Sequence, residues 1–535
     1  MINLSEQIIK DLIDKGVTTF FGVQGGACAR FIDNVIKYKG KYIPVLNEQS
    51  AGFYAHGYHL STKKTAGLIF TTGPGLTNAI TGVASCFYDR VPLVVLTGQV
   101  KKKLNIAKKT NTRMVGFQEV PHLDLSKPIS DTIFKIDTSQ KYLKMRKNIL
   151  INLDKKVQVI EVQDDVQREK LKKKIKKISF NFTKSKEKIV SKSLLKNIKN
   201  SKKPVCILGA GFSRHKDLIK LSNILNKQNI SIALTWGGQK AQNLINKNNY
   251  IGIFGTHNPG FANKKIEESD LIIAVGCSLL QHQIGRINNN FAKNAKIIFV
   301  NNDLNECNRA RYQFGKRLSI INSDAKEFIY ASKNIVHKKI NYNFENKLVY
   351  PVDNLVAFFK KIPYNKSIIF SDAGATLSWS YQAANILKNC APIFTAFNLH
   401  SMGYANCASI GASITNKNVY CVIGDGSIPM NIQEFAWLKY YKVKIIVLDN
   451  EGYGIIRQTQ RAYYKSKFFG SDFKNNLTKL PKFNLKKIME SYDLKTKIVT
   501  RHQLNKKIIN NFINSKKSEA IIIKVNYSAE VKTSE

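Results

Sequence analysis

The stretch VYCVIGDGSIPMNIQEFAWLKYYKVKIIVLDNEGYG, residues 419–454, sets Asp425 between Gly424 and Gly426 and, with 23 residues between it and Gly426, sets Asn450 two positions before Gly452. A carboxylate and an amide carbonyl are hard oxygen ligands, suited to Mg²⁺ or Ca²⁺. The glycines let the backbone approach whatever the ion carries. A magnesium-bridged diphosphate meets those demands, with Asp425, Asn450 and the backbone of Gly452 as candidate metal ligands. The tripeptide GDG alone carries little, since an Asp there can simply cap a helix and an Asn can make a turn.

The elements around the pair give it weight. Val419 to Ile423 is an apolar, β-branched run that stops at Gly424, and Val443 to Leu448 is a second one; each reads as a buried strand. Between them Ile432, Phe435, Ala436 and Leu438 recur at helical spacing, which predicts a helix over 431–441. The unit is βαβ. Parallel strands collect ligands at their carboxyl ends, where both Asp425 and Asn450 fall. This array resembles the thiamine diphosphate (ThDP) signature, GDG followed after a fixed stretch by Asn.

The resemblance extends to most of the chain. NEQSAGFYAHGYH and GLIFTTGPGLTNAITGVASCFYDRVPLVVLTGQ are similar to the pyrimidine-binding domain of acetolactate synthase-like enzymes. In that family the glutamate matching Glu48 hydrogen-bonds the aminopyrimidine ring, so that the cofactor itself takes up the thiazolium C2 proton. Pro74 and Asn78 would shape the same pocket. Gln118, in GFQEVPHL, matches the FQE motif whose amide faces the substrate. Gln24, in GVQGG, replaces a proline and would place an amide donor near the reacting carbonyl. Met402, in FNLHSMGYANCASIGAS, matches the apolar residue that props the cofactor into a bent shape. SDAGATLSW matches the diphosphate loop, except that Ala375 and Thr376 stand where Gln-His is common. Diphosphate contacts would then come from Gly374, Thr376, Gly426 and Ser427. The two halves of each site are expected from different protomers of a homodimer or homotetramer.

The 535 residues are long for one core and divide into about three α/β units. The expected layout is three successive doubly wound parallel-sheet domains: pyrimidine-binding over 1–165, a charged linker over 166–190, a central Rossmann-like domain over 191–340 and a diphosphate-binding domain over 350–535. Gly209-Ala210-Gly211 after a strand is a lone GxG, and the reading prefers a tight βα turn. His56 and His59 lack a third ligand and read as core or surface histidines. The net charge of +47 comes from lysines scattered through almost every segment. With no aromatic-basic array, it excludes a specific nucleic-acid partner. Eight cysteines without a CxxC read as reduced core residues. The first residues read as an amphipathic helix with Ser5 as N-cap, and no apolar run is long enough to span a bilayer. A cytoplasmic protein is expected.

Two departures bear on the reaction. Thr459, in IIRQTQRAYY, takes the place of a tryptophan that selects the acceptor keto acid in biosynthetic acetolactate synthases. DLIIAVGCSLLQHQIG lacks their RFDDR flavin motif; FGTHNPGFAN echoes the GMHG segment, but the missing motif disfavours FAD. No His-His pair of the pyruvate decarboxylase kind occurs. The resemblance implies a ThDP- and Mg²⁺-dependent enzyme that decarboxylates a 2-keto acid, pyruvate first, and passes the acyl unit to an acceptor, with sugar or secondary-metabolite acceptors in view. The alternatives are nonoxidative decarboxylation to an aldehyde and, from another class, a noncatalytic polyanion-binding scaffold. Retention of Glu48, Asp425 and Asn450 argues against the scaffold.

Overall fold

The computed structural model describes residues 2–171, 175, 178, 190–285, 291–338, 348–415, 418–474 and 477–533. Most of the connection expected over 166–190 lies outside them. Eighteen strands form three parallel six-stranded sheets. The first holds β1 (Thr19–Gly22), β2 (Lys41–Pro44), β3 (Ala66–Phe70), β4 (Leu93–Gln99), β5 (Thr132–Ile136) and β6 (Val157–Gln163), ordered β2-β1-β3-β4-β6-β5. The second holds β7 (Pro204–Leu208), β8 (Ser231–Leu234), β9 (Tyr250–Ile253), β10 (Leu271–Val275), β11 (Lys296–Val300) and β12 (Leu318–Ile321), ordered β12-β11-β10-β7-β8-β9. The third holds β13 (Ser367–Ser371), β14 (Ile393–Phe394), β15 (Asn418–Gly424), β16 (Val443–Asp449), β17 (Lys495–Val499) and β18 (Glu519–Lys524), ordered β14-β13-β15-β16-β18-β17.

The central strands are continuous apolar runs because helices cover both faces; all seven residues of β4, β6 and β16 are buried. The first and third sheets share one topology, strand for strand, whereas the second has the order of a dinucleotide-binding sheet. In the first and third sheets the helix after the second strand occupies the same place. These two helices, Glu48–Thr62 and Tyr404–Ser413, pack on each other across the chain. A Cβ on Gly57 would overlap the carbonyl oxygen of Ala408, and one on Gly411 would overlap that of Tyr54. The reciprocal pairs 54–411 and 57–408 put the helices antiparallel at backbone contact, related by a local two-fold.

Two local expectations are corrected. The first helix, Leu4–Asp14, is capped by Asn3 rather than Ser5; Asn3 Oδ1 accepts from the backbone of Glu6 at 2.8 Å and also from the Ser5 hydroxyl. Between β15 and β16 the expected helix is a 3₁₀ stretch, Ile428–Lys439, broken at Asn431. Asn431 departs from helical geometry because its amide donates to the Gly403 carbonyl and its own carbonyl accepts from Asn406. Long-range bonds win there over local helix propensity.

Candidate active site

Strand ends bring the third-domain residues together as the sequence suggests. Gly374, Thr376, Met402, Gly426, Ser427, Asn450 and Gly452 line one cavity of about 370 Å³. Asp425, 5 % exposed, lies behind Asn450, lines a neighbouring cavity rather than this one, and accepts backbone N–H groups of Asn450 at 3.3 Å and Gly452 at 2.7 Å. Asn450 Oδ1 lies 3.1 Å from Asp425 Oδ1 and 3.0 Å from the Gly452 carbonyl oxygen. Three acceptors thus face one another. Either the amide turns over so that its NH₂ donates to both, or a cation between the oxygens keeps them turned inward. That donor set suits a hard divalent ion. Among the described residues no cluster of three His, Cys, Asp or Glu offers another.

The walls suit a diphosphate. The helices Ala375–Ile386 and Gly454–Tyr463 begin at the cavity, and no side chain caps either one. Their first N–H groups and the positive ends of their dipoles would favour anionic oxygens placed there. Gly374 holds φ +78° and Gly452 φ +111°, backbone that favours glycine. A Cβ on Gly426 would come within 2.6 Å of the Tyr453 ring. Burial, with the nearby Asp449 second, pushes Asp425 up to about 7. A bound cation would oppose that push.

The first-domain residues gather elsewhere, on one open face. Glu48 is the first residue of its helix, behind the N-cap Asn47, and accepts from Asn78 Nδ2 at 3.1 Å. Pro74 opens the helix Pro74–Tyr88 that carries Asn78. Gln118 holds φ +63°; Gly73 packs against its Cβ, and the Thr72 hydroxyl donates to its carbonyl at 3.0 Å. Gln24 is exposed on the loop beside Thr71. Phe117 is 82 % exposed next to Gln118. Among the described residues none from this domain lines the third-domain cavity. One chain therefore holds both half-sites without joining them.

Thr459 is exposed on its helix and lies outside the cavity; Ile455 and Ile456 of the same helix line it instead. The glycines of Gly209-Ala210-Gly211 pack the β7 turn onto the β10 turn: Gly211 N–H donates to the Gly276 carbonyl at 2.8 Å, and a Cβ on Gly209 would overlap Cys277. His56 is a core residue, bonded to Asp89 at 3.1 Å and to the Tyr404 hydroxyl at 2.7 Å. All eight cysteines are buried, and none is in a disulfide.

Several polar residues escaped the sequence reading. Glu434, fully buried, joins the first and third domains by accepting from Leu46 N at 2.9 Å and the Tyr54 hydroxyl at 2.8 Å. Arg457, also fully buried, holds the loop after β16 by donating to the carbonyls of Asn450 at 2.6 Å and Glu451 at 2.9 Å. Asp372, at the end of β13, accepts from the backbones of Gly403 and Ala405 and fixes the turn that carries Met402. Burial raises the pKa of Glu119, but bonds from Ala107, Gly116 and Val115 N–H outweigh it, so the carboxylate is held low and staples the loop before Gln118. Each is an acid or Arg near a strand end or within a motif, a weak signal that only tertiary contacts resolve.

A sheet pair of one topology flanks a dinucleotide-type sheet, and a glycine-lined cavity with two helix starts opens in the last sheet's domain. Residues 2–121, 191–336 and 372–525 match, in turn, the N-terminal TPP binding, central and C-terminal TPP binding domains of thiamine pyrophosphate enzymes. The chain belongs to that family. Within it the chain is an acetolactate synthase-like enzyme. It is 29 % identical to a probable acetolactate synthase large subunit of Methanococcus aeolicus (93 % of this chain, 87 % of the relative). It is 28 % identical to the acetolactate synthase large subunit of Lactococcus lactis (92 % and 87 %). In fold it resembles benzoylformate decarboxylase from Polynucleobacter necessarius, with TM-score 0.81 and 17 % identity over all of both chains. No described helix is long and apolar enough to cross a membrane.

Proposed function

We propose that this enzyme uses ThDP and Mg²⁺ to release CO₂ from a 2-keto acid, pyruvate, and joins the remaining acyl unit to the carbonyl of an acceptor. The observation that carries the reading is the meeting of Asp425, Asn450 and the Gly452 backbone at one strand end, beside a cradle of glycines and two uncapped helix starts. Asp425, Asn450 and the Gly452 carbonyl would hold Mg²⁺; Gly374, Thr376, Gly426 and Ser427 would hold the diphosphate through N–H and hydroxyl groups. Bound there, the cofactor supplies an electron sink for the bond to the departing carboxylate. Met402 stands at the cavity wall to set its bend.

Glu48, held by Asn78, would hydrogen-bond the pyrimidine end, with Pro74 shaping the pocket and Gln24 and Gln118 as amide donors near the substrate. Because those residues and the cavity are apart within one chain, a partner copy completes each site. FAD has no part in this reading, as the glycines of the central βα turn are taken up by packing. Purified protein given ThDP, Mg²⁺ and a panel of 2-keto acids should release CO₂, and EDTA should stop it. No release from any keto acid would sink the reading; an aldehyde as the sole product would replace ligation with simple decarboxylation.

A further inference from the structure

Beyond the glycine cradle, the cavity has a second wall, built by the central domain and the turn before Met402. Trp236, His257, His282 and His400 line it. Their rings form one cluster: Trp236 stacks on Tyr381 at 5.2 Å and lies 5.9 Å from His282 and 6.1 Å from His400, and the two histidines lie 6.0 Å apart. Trp236 is fixed by donating Nε1–H to Asn258 at 2.8 Å. His400 donates Nε2–H to the Phe397 carbonyl at 2.7 Å, which leaves Nδ1 as an acceptor. Its backbone holds φ +51°, a conformation that side chains rarely adopt and that tends to persist at functional positions.

The wall is uncharged. Burial lowers the pKa of both histidines, that of His282 to about 4, so the rings are neutral donors and acceptors at neutral pH. The chain carries 84 Lys and Arg, yet among the described residues lining this cavity there is no Lys, Arg, Asp or Glu. A carboxylate held against such a wall would find no cation among this chain's own residues lining it, which is strongly unfavourable. Hydroxyl and carbonyl oxygens would be satisfied by imidazole nitrogens. The donor's carboxylate escapes this argument, because it departs as CO₂.

We propose that this wall is an acceptor subsite for an uncharged, hydroxylated aldehyde or ketone, with His282 and His400 as its hydrogen-bonding groups. The inference rests on the carboligase reading above and narrows it away from a second keto acid. In the transfer, the C1–C2 bond of pyruvate breaks and CO₂ leaves. That electron pair forms a new bond to the acceptor carbonyl carbon, whose π pair moves to its oxygen and takes up one proton. One pyruvate anion, one acceptor and one proton give CO₂ and one hydroxyketone, with no oxidant required.

The test supplies ThDP, Mg²⁺ and pyruvate with D-glyceraldehyde and 2-ketobutyrate in competition, and measures CO₂ and products by mass. The glyceraldehyde adduct should predominate. His282→Phe should lower adduct formed per CO₂ by about tenfold, the scale of one lost hydrogen bond, and His282→Asn should recover part of it. His282→Arg, which adds the missing cation, should shift the product ratio toward 2-ketobutyrate. In protein without cofactor, D-glyceraldehyde should change the tryptophan fluorescence, and Trp236→Phe should abolish the change. CO₂ release with acetolactate or the 2-ketobutyrate product predominating would overturn this inference and leave the carboligase reading standing. CO₂ with acetaldehyde alone, or no CO₂, would overturn both.

Discussion

Asp425 carries more of the candidate chemistry than any other side chain. It takes two backbone N–H bonds and stands beside the Asn450 amide and the Gly452 carbonyl. Asp425→Ala removes the charged corner and leaves diphosphate without its bridging cation, so ThDP affinity in the presence of Mg²⁺ should fall by more than about 100-fold, beyond the loss typical of outer-shell changes. Calorimetry decides it; unchanged affinity would take Asp425 out of the role. Asp372 makes a pH prediction. Burial pushes it up to about 6 from an ordinary 3.8, against backbone bonds from Ala405, Ala373 and Gly403 that pull it down. The folded state therefore keeps this proton at pH values where the unfolded chain has released it. The stability so conferred is present below about pH 4 and is lost as pH rises through about 6, at no more than ~1.4 kcal/mol per pH unit. Melting wild type beside Asp372→Asn across that window should show wild type losing ground toward pH 6. Parallel curves would place the titration elsewhere.

The helix pair at the centre of the chain shows what an element can and cannot announce. Gly57 and Gly411 sit in runs of small residues whose sequence signals close packing but not the partner, and the partner is the matching helix of the other domain. Gly57→Ala puts a methyl group into the Ala408 backbone, which cannot retreat as a side chain would. The cost should be about 1–3 kcal/mol or more, read as a lowered melting temperature, whereas Ala substitution at the open Gly26 should cost far less. Equal melting of the two variants would mean the helices are not at backbone contact. Legibility follows the same line. Strands such as Val419–Ile423 were readable because burial on both faces writes a continuous apolar run, and Asp425 and Asn450 because they end such strands. Asn431, Glu434 and Arg457 were not, since their bonds reach residues far along the chain, for Arg457 the Tyr527 carbonyl. The kink at Asn431 is the clearest case: apolar periodicity says helix, and a bond to Gly403 overrules it.

At the scale of the molecule, charge and assembly make separate predictions. The charge of +47 is scattered rather than gathered on a face, so binding to heparin or DNA should be weak and collapse with added salt; a tight complex at high salt would favour a dedicated polyanion partner. Assembly is the deeper question, because in the proposed reading Glu48 and Asp425 grip opposite ends of one cofactor, yet among the described residues none of the first domain lines the third-domain cavity. Glu48 itself is buried, but its partner Asn78, Pro74 at the start of the same helix as Asn78, and Leu46, 54 % exposed, are open to solvent, as is Phe117 at 82 % next to Gln118. A two-fold dimer that lays this face over the partner's cavity closes both sites at once. Glu48→Gln and Asp425→Ala should each be nearly inactive alone, the first through lost cofactor activation and the second through lost metal. In a mixed dimer one site collects both lesions and the other is intact. Random reassortment of equal amounts makes about half of the dimers mixed, so roughly a quarter of all sites should work. The two variants are dissociated together, reassembled, and compared in CO₂ release with each variant treated alone. Recovery near that fraction supports shared sites. Mixed dimers that are demonstrably formed but stay inactive would place Glu48 and Asp425 of one site on a single chain, and the open face would then need another explanation.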